Sequence, residues 1–108
     1  MGYSLEETIK LNQLYDIYNQ LLTDKQREYF SYYFKDNYSL SEIAEILDVS
    51  RNAVHLQIKN VVKNLEELDI KLGIIEQNKK ISKLLKTLEK EKLSEETKAI
   101  IKEIEKVK

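Results

Sequence analysis

Apolar residues recur along this chain at spacings of three and four, and no stretch alternates as a half-buried strand would. The pattern predicts helices throughout. Ser4-Leu5-Glu6-Glu7 has the form of a capping box, in which a hydroxyl and a carboxylate satisfy two free backbone N–H groups reciprocally. A first helix therefore starts at Ser4, with Leu11, Leu14, Tyr15, Tyr18, Leu21 and Leu22 along one face. Thr23-Asp24-Lys25-Gln26 repeats the signal and opens a second helix, whose Tyr29/Tyr33 and Phe30/Phe34 pairs are four apart. Lys35-Asp36-Asn37-Tyr38 interrupts the period, since Asp and Asn favour turns. Ser39-Leu40-Ser41-Glu42 is a third capping box and leads a short helix with Ile43, Ala44, Ile46 and Leu47 inward. Asp48-Val49-Ser50 reads as a tight turn, and a long helix follows from about Arg51 to Leu72. It stops at Gly73, a natural residue for a left-handed helix end.

Beyond Gly73 the composition narrows to Lys, Glu, Ile and Leu in bulk. Ile81, Leu84, Leu85 and Leu88 form one stripe; Ile100, Ile101 and Ile104 form another behind a Ser94 cap, with a bend at Lys90-Glu91-Lys92-Leu93. A single stripe cannot bury itself, so residues 73–108 are expected to form an amphipathic arm for oligomerisation or partner docking. The chain divides into a domain over residues 1–72 and this arm. A homodimer held by the arm is the expected assembly.

The stretch from Leu40 to Val62 has the spacing of a helix-turn-helix. Ala44 stands where two helices cross and only a small side chain fits. Val49 is expected to plug the turn, Ser50 to cap the second helix, and Val54 and Ile58 to pack it down. Asp48 takes the turn position usual for Gly, a mild departure because Asp tolerates the left-handed conformation. The recognition helix, about residues 51–72, then presents Arg51, Asn52, His55, Leu56, Lys59, Asn60 and Lys63 outward. From Ser50 to Asn64 there are three basic residues and no acidic one. Ser50, Arg51, Asn52, His55, Gln57, Lys59, Asn60 and Lys63 are the candidate nucleic-acid contacts: polar groups near the helix start for base edges, lysines for phosphates. Leu56 suits a protein contact instead, as do Ile81, Leu84, Leu85, Leu88, Ile100, Ile101 and Ile104 of the arm.

Composition narrows the function. The 108 residues contain 18 Lys+Arg against 19 Asp+Glu, a net charge of −1. That near-neutrality hides a division, −4 over residues 1–72 and +3 over residues 73–108. With no Cys, there is no disulfide framework, thiol nucleophile or zinc finger, and a single His cannot build a multi-His metal site. With glycine only at Gly2 and Gly73, no phosphate-cradling loop is possible. No metal or cofactor is expected, and the composition speaks against an enzyme. No apolar run is long enough to span a membrane, and the first residues lack a signal-peptide pattern, so a cytoplasmic protein is expected.

Seven tyrosines are the other unusual feature; Tyr15, Tyr18, Tyr29, Tyr32, Tyr33 and Tyr38 precede the helix-turn-helix. Their spacing favours packing between the first two helices, with a stacking platform for single-stranded RNA as the alternative.

The run Leu21-Leu22-Thr23-Asp24-Lys25-Gln26-Arg27-Glu28-Tyr29-Phe30 is followed by Asp36-Asn37-Tyr38-Ser39-Leu40-Ser41-Glu42-Ile43-Ala44-Glu45, Val49-Ser50-Arg51-Asn52-Ala53-Val54 and Ile58-Lys59. These residues resemble the YlxM family of small bacterial proteins, across about residues 5–75. The family's helix-turn-helix is similar to region 4 of sigma-70 factors, where LT-x-x-Q-R-E opens the DNA-binding unit. The resemblance implies an all-α, sigma-70 region 4-like bundle with a helical C-terminal arm. It also implies a cytoplasmic regulator of the signal recognition particle, acting through DNA, the particle's RNA or its GTPase. This chain departs from the family's pattern at His55, Leu56 and Asn60, where Tyr, Asp and Arg are common; the missing Arg lowers the charge of the recognition helix.

Overall fold

A computed structural model describes residues 2–107, and it contains no strand among them. Six α-helices follow one another: α1 (Leu5–Tyr18), α2 (Asp24–Phe30), α3 (Leu40–Leu47), α4 (Arg51–Leu72), α5 (Ile74–Glu89) and α6 (Glu95–Val107). The protein is therefore all-α. The residues up to Leu72 form one compact unit and those from Gly73 on form a second.

Local chemistry sets the helix starts in the first unit. Ser4 and Glu7, Thr23 and Gln26, and Ser39 and Glu42 close reciprocal capping boxes at the heads of α1, α2 and α3. Between α1 and α2, a short 3-10 turn (Asn19–Leu21) is held by Arg27, whose Nη1 donates to the carbonyls of Asn19 (2.9 Å) and Leu22 (2.8 Å). Arg27 also pairs with Asp24. The guanidinium thus ties the two ends of the turn together, the Asn19 carbonyl also accepting the Leu22 N–H at 3.1 Å. The turn leaves Leu21 at 59% exposure, outside the apolar face expected for it.

α4 is the spine. α1, α2 and α3 each pack on it. Its Val54, Ile58, Val61 and Leu65 have no exposed surface. Around them are buried Leu11, Leu14 and Tyr18 of α1, Tyr29 and Phe30 of α2, and Leu40 and Ile43 of α3. Burying each of these aliphatic side chains contributes about 1.5–3 kcal/mol, which is why a helix of α4's length holds four elements together. The Tyr15 ring stacks on Phe30 at 4.2 Å between centroids, joining α1 to α2. Packing accounts for most of the tyrosines: Tyr18 and Tyr29 are fully buried, and Tyr3, Tyr15, Tyr32 and Tyr33 are half-buried.

Two features of this unit depart from the expected pattern. α2 does not simply end but widens into a π-helical segment, Ser31–Lys35, closed by the Asp36 N–H on the Ser31 carbonyl at 2.9 Å. Asn37 then turns with φ of 60°. In addition, Ile46, expected inward, and Val49, expected to plug the turn, are 48% and 38% exposed. α3 spans only Leu40–Leu47, and Leu40 and Ile43 already fill its buried side. Each step of three turns the position by about −60°, so Ile46, six residues on from Leu40, lies about 120° around the helix from it and off the packed side.

In the second unit α5 and α6 pack on each other. Ser94 caps α6, its Oγ accepting from the Thr97 N–H at 3.2 Å. Among the described residues, no helix is long and apolar enough to cross a membrane.

Candidate nucleic-acid interface

The helix-turn-helix comprises α3, the turn Asp48-Val49-Ser50 and the first half of α4. Its bend is made by Asp48, which adopts φ 53° and ψ 51°, and by the Val49 N–H, which donates to the Ala44 carbonyl at 3.0 Å. Asp and Asn visit this left-handed region more readily than other non-glycine residues. Ser50 then caps α4, with its Oγ accepting from the Ala53 N–H at 3.0 Å. Ile43, Val54 and Ile58, all fully buried, clamp α3 against α4, with Ala44 and Leu47 packed beside them. The recognition helix is thus fixed at its start by a turn, a cap and a core contact.

On α4 the candidate contacts Arg51, Asn52, Lys59, Asn60 and Lys63 are exposed, as is Ser50 in the turn before it. His55 and Gln57 are half-buried, closer to the packed side of the helix. Leu56 is 58% exposed, an apolar side chain on the polar face. No salt bridge is formed by Arg51, Lys59 or Lys63 among the described residues. The other basic side chains of this unit include Arg27 on Asp24, Lys10 on Asp69, and Lys35 on Asp16.

The helix start itself is unusual. α1, α2, α3, α5 and α6 all carry an acidic residue in the first turn, the normal complement to the positive end of the helix dipole. α4 has none and begins with Arg51. Four unsatisfied N–H groups, less the one Ser50 takes, therefore stand beside a guanidinium at an exposed helix start. That arrangement costs helix stability and concentrates positive potential where an anion would lie.

The other side of the motif is acidic. Glu42, Glu45 and Asp48 are exposed on α3 and its cap, spaced by three. The helix before a recognition helix crosses the nucleic-acid backbone in known complexes of this kind, and carboxylates in that position would oppose a polyanion. The spacing of the three is visible in the sequence and was the available signal.

The arm residues divide. Leu85 and Ile101 are buried, and Ile81 is half-buried. Leu84, Leu88, Ile100 and Ile104 remain 69%, 42%, 58% and 43% exposed. No group of three or more potential metal ligands occurs among the described residues.

Comparison with known proteins agrees with this geometry. The profile of the UPF0122 family, YlxM / p13-like helix-turn-helix proteins, matches residues 5–107. The UPF0122 protein of Halalkalibacterium halodurans is 42% identical over 105 residues, covering 94% of this chain and 96% of that protein. The UPF0122 proteins of Bacillus mycoides and Bacillus thuringiensis are each 44% identical over 108 residues, covering 95% of this chain and 98% of theirs. The match runs through both units, arm included, and the chain belongs to the UPF0122 family of YlxM / p13-like helix-turn-helix proteins.

Proposed function

We propose that this protein is a non-enzymatic, cytoplasmic regulator of the signal recognition particle pathway that binds DNA or the particle's RNA through α4. The observation that carries the reading is the acid-free start of α4, with Arg51 exposed and unpaired at the positive end of the helix. Arg51, Asn52 and His55 would meet base edges, with Ser50, Gln57 and Asn60 flanking them. Lys59 and Lys63 would hold phosphates. The carboxylates of α3 keep such binding weak and sensitive to salt. Electrophoretic binding of the full chain to particle RNA and to operon DNA, at two salt concentrations, tests the reading. Arg51→Ala combined with Lys59→Ala should abolish the shifted band; full binding by that variant would end the proposal.

A second reading has its own support in Leu56 and the exposed arm residues. In it the protein is an adaptor that forms a homodimer and docks on the particle's GTPase. Light scattering that gives a monomer at tens of micromolar would remove the dimer. GTPase modulation untouched by Leu56→Glu and Leu84→Glu in the full chain would remove the docking.

A further inference from the structure

The first unit holds an aromatic pocket that the nucleic-acid reading does not use. It has a volume of about 310 Å3 and lies where the residues before α1, the end of the π-helical segment and the start of α3 meet. Tyr3, Tyr33, Phe34, Tyr38 and Glu42 are among the residues that line it. Tyr3, Tyr33 and Phe34 form a cluster of rings set at steep angles. Tyr33 meets Phe34 at 89° and Tyr3 at 76°, while Tyr3 and Phe34 are inclined at 54°. All three rest on the buried cluster of Tyr29, Leu40, Ile43, Val54 and Ile58. The walls are therefore held by the core before any ligand arrives.

Two unusual backbone features surround it. Tyr33 and Phe34 lie in the π-helical segment, and Asn37, in the left-handed conformation, makes the turn to Tyr38. A π-turn costs hydrogen-bond geometry and is found mostly where it aims side chains for a purpose.

The field at the pocket is negative. Glu42 lines it directly. Burial pushes the Tyr3 phenol above its usual range, and the neighbouring Tyr33, Glu66 and Glu7 push the same way. No lysine or arginine is among the lining residues. Glu42 Oε1 accepts the Ser39 N–H at 3.1 Å in the capping box, and its other oxygen makes no hydrogen bond among the described residues.

We propose that this pocket receives an arginine side chain from a partner protein. A guanidinium is flat, stacks on aromatic rings and keeps its N–H edge for a carboxylate. The pocket offers rings at several inclinations and a carboxylate with a spare oxygen. A nucleobase would also stack, but it brings a phosphate into the field of Glu7, Glu42 and Glu66. An ammonium would satisfy the charge and leave much of the cavity unfilled.

The test is a titration of the full-length, isotope-labelled chain with N-acetyl-argininamide, followed by amide shifts. The citrulline analogue, equal in shape and uncharged, and adenosine monophosphate are the controls. Saturable shifts confined to Phe34–Glu42 and the residues around Tyr3 are expected with the arginine probe. The citrulline analogue should bind at least about tenfold more weakly, since it loses the charge-assisted contacts. Glu42→Gln should weaken the arginine probe by about tenfold as well. That variant keeps the capping box, in which Gln serves as well as Glu, so α3 stays formed. Absence of saturable shifts at tens of millimolar overturns the proposal. So does equal binding of the citrulline analogue, or tighter binding of the nucleotide.

Discussion

The Tyr18 hydroxyl donates to Asp69 Oδ1 at 2.8 Å, joining the last residue of α1 to the last turn of the spine helix α4. The Tyr18 ring is buried and the Asp69 carboxylate is mostly so, with Lys10 at 4.0 Å as its other partner. A hydrogen bond to a charged group in such a setting contributes more than a neutral one. Tyr18→Phe keeps the ring and removes the donor. It is expected to lower stability by about 1–2 kcal/mol, the carboxylate keeping partial compensation from Lys10. Urea unfolding followed by circular dichroism measures this. An unchanged midpoint would show that water replaces the tyrosine at no cost.

Asp48 makes a second, separable prediction. Its φ of 53° is a conformation that glycine adopts freely and a branched side chain resists. Asp48→Gly should leave stability within about 1 kcal/mol of the parent, the relief at the turn offsetting the greater entropy of the unfolded chain. Asp48→Val should cost about 1–2 kcal/mol or more. The same Asp48→Gly change removes a carboxylate three residues before Arg51, so it should also tighten nucleic-acid binding. A variant that gains stability and loses binding would contradict the placement of that face.

Salt dependence tests the α4 face by number. Arg51, Lys59 and Lys63 are its cations, so full engagement of three phosphates gives a log–log slope near −3. Replacing any one by Ala should reduce the slope by about one. Replacing Leu56, which carries no charge, should leave it unchanged. Glu45→Gln should raise affinity without altering which target is preferred, because a backbone-facing charge carries no sequence information. A slope that ignores all three cations would assign the binding to another surface.

The fold and the candidate site were legible in the sequence to different degrees, and the reasons are physical. The capping boxes at Ser4, Thr23 and Ser39 are contacts between residues three apart, so their chemistry is complete in four letters. The left-handed residues Asp48 and Gly73 were equally local. The exposure of Ile46 and Val49 was not, because periodicity marks an apolar side chain without saying whether another element arrives to cover it. The π-helical segment at Ser31–Lys35 gave no signal either. Its Tyr-Tyr-Phe run fits an ordinary helix, and the aromatic pocket it helps to shape joins residues some thirty positions apart in the chain. Tyr3 drew no attention as a residue before the first helix, yet it touches both Tyr33 and Phe34.

The arm carries the pH-dependent prediction. A hydrogen bond with Glu105 raises the Glu89 carboxyl above the usual carboxylate range, and the negative charge of Glu105 adds to it; Lys86 and Lys102 act the other way. Two carboxyl groups share a hydrogen bond only when one is protonated. The native arm thus binds a proton more readily than the unfolded chain does, and linkage fixes the sign. The contribution is fully present below the unfolded-state value. It is lost as pH rises through the raised native one, so at neutral pH the two like charges oppose the packing of α5 on α6. Acidification from neutrality toward pH of about 5 should therefore strengthen hydrogen-exchange protection in α6. The readout must be local to α6 rather than global unfolding, because the pair lies within the arm. Glu89→Gln supplies a permanent donor to Glu105. It should protect α6 at neutral pH and flatten the dependence; a dependence that survives it would place the responsible proton elsewhere.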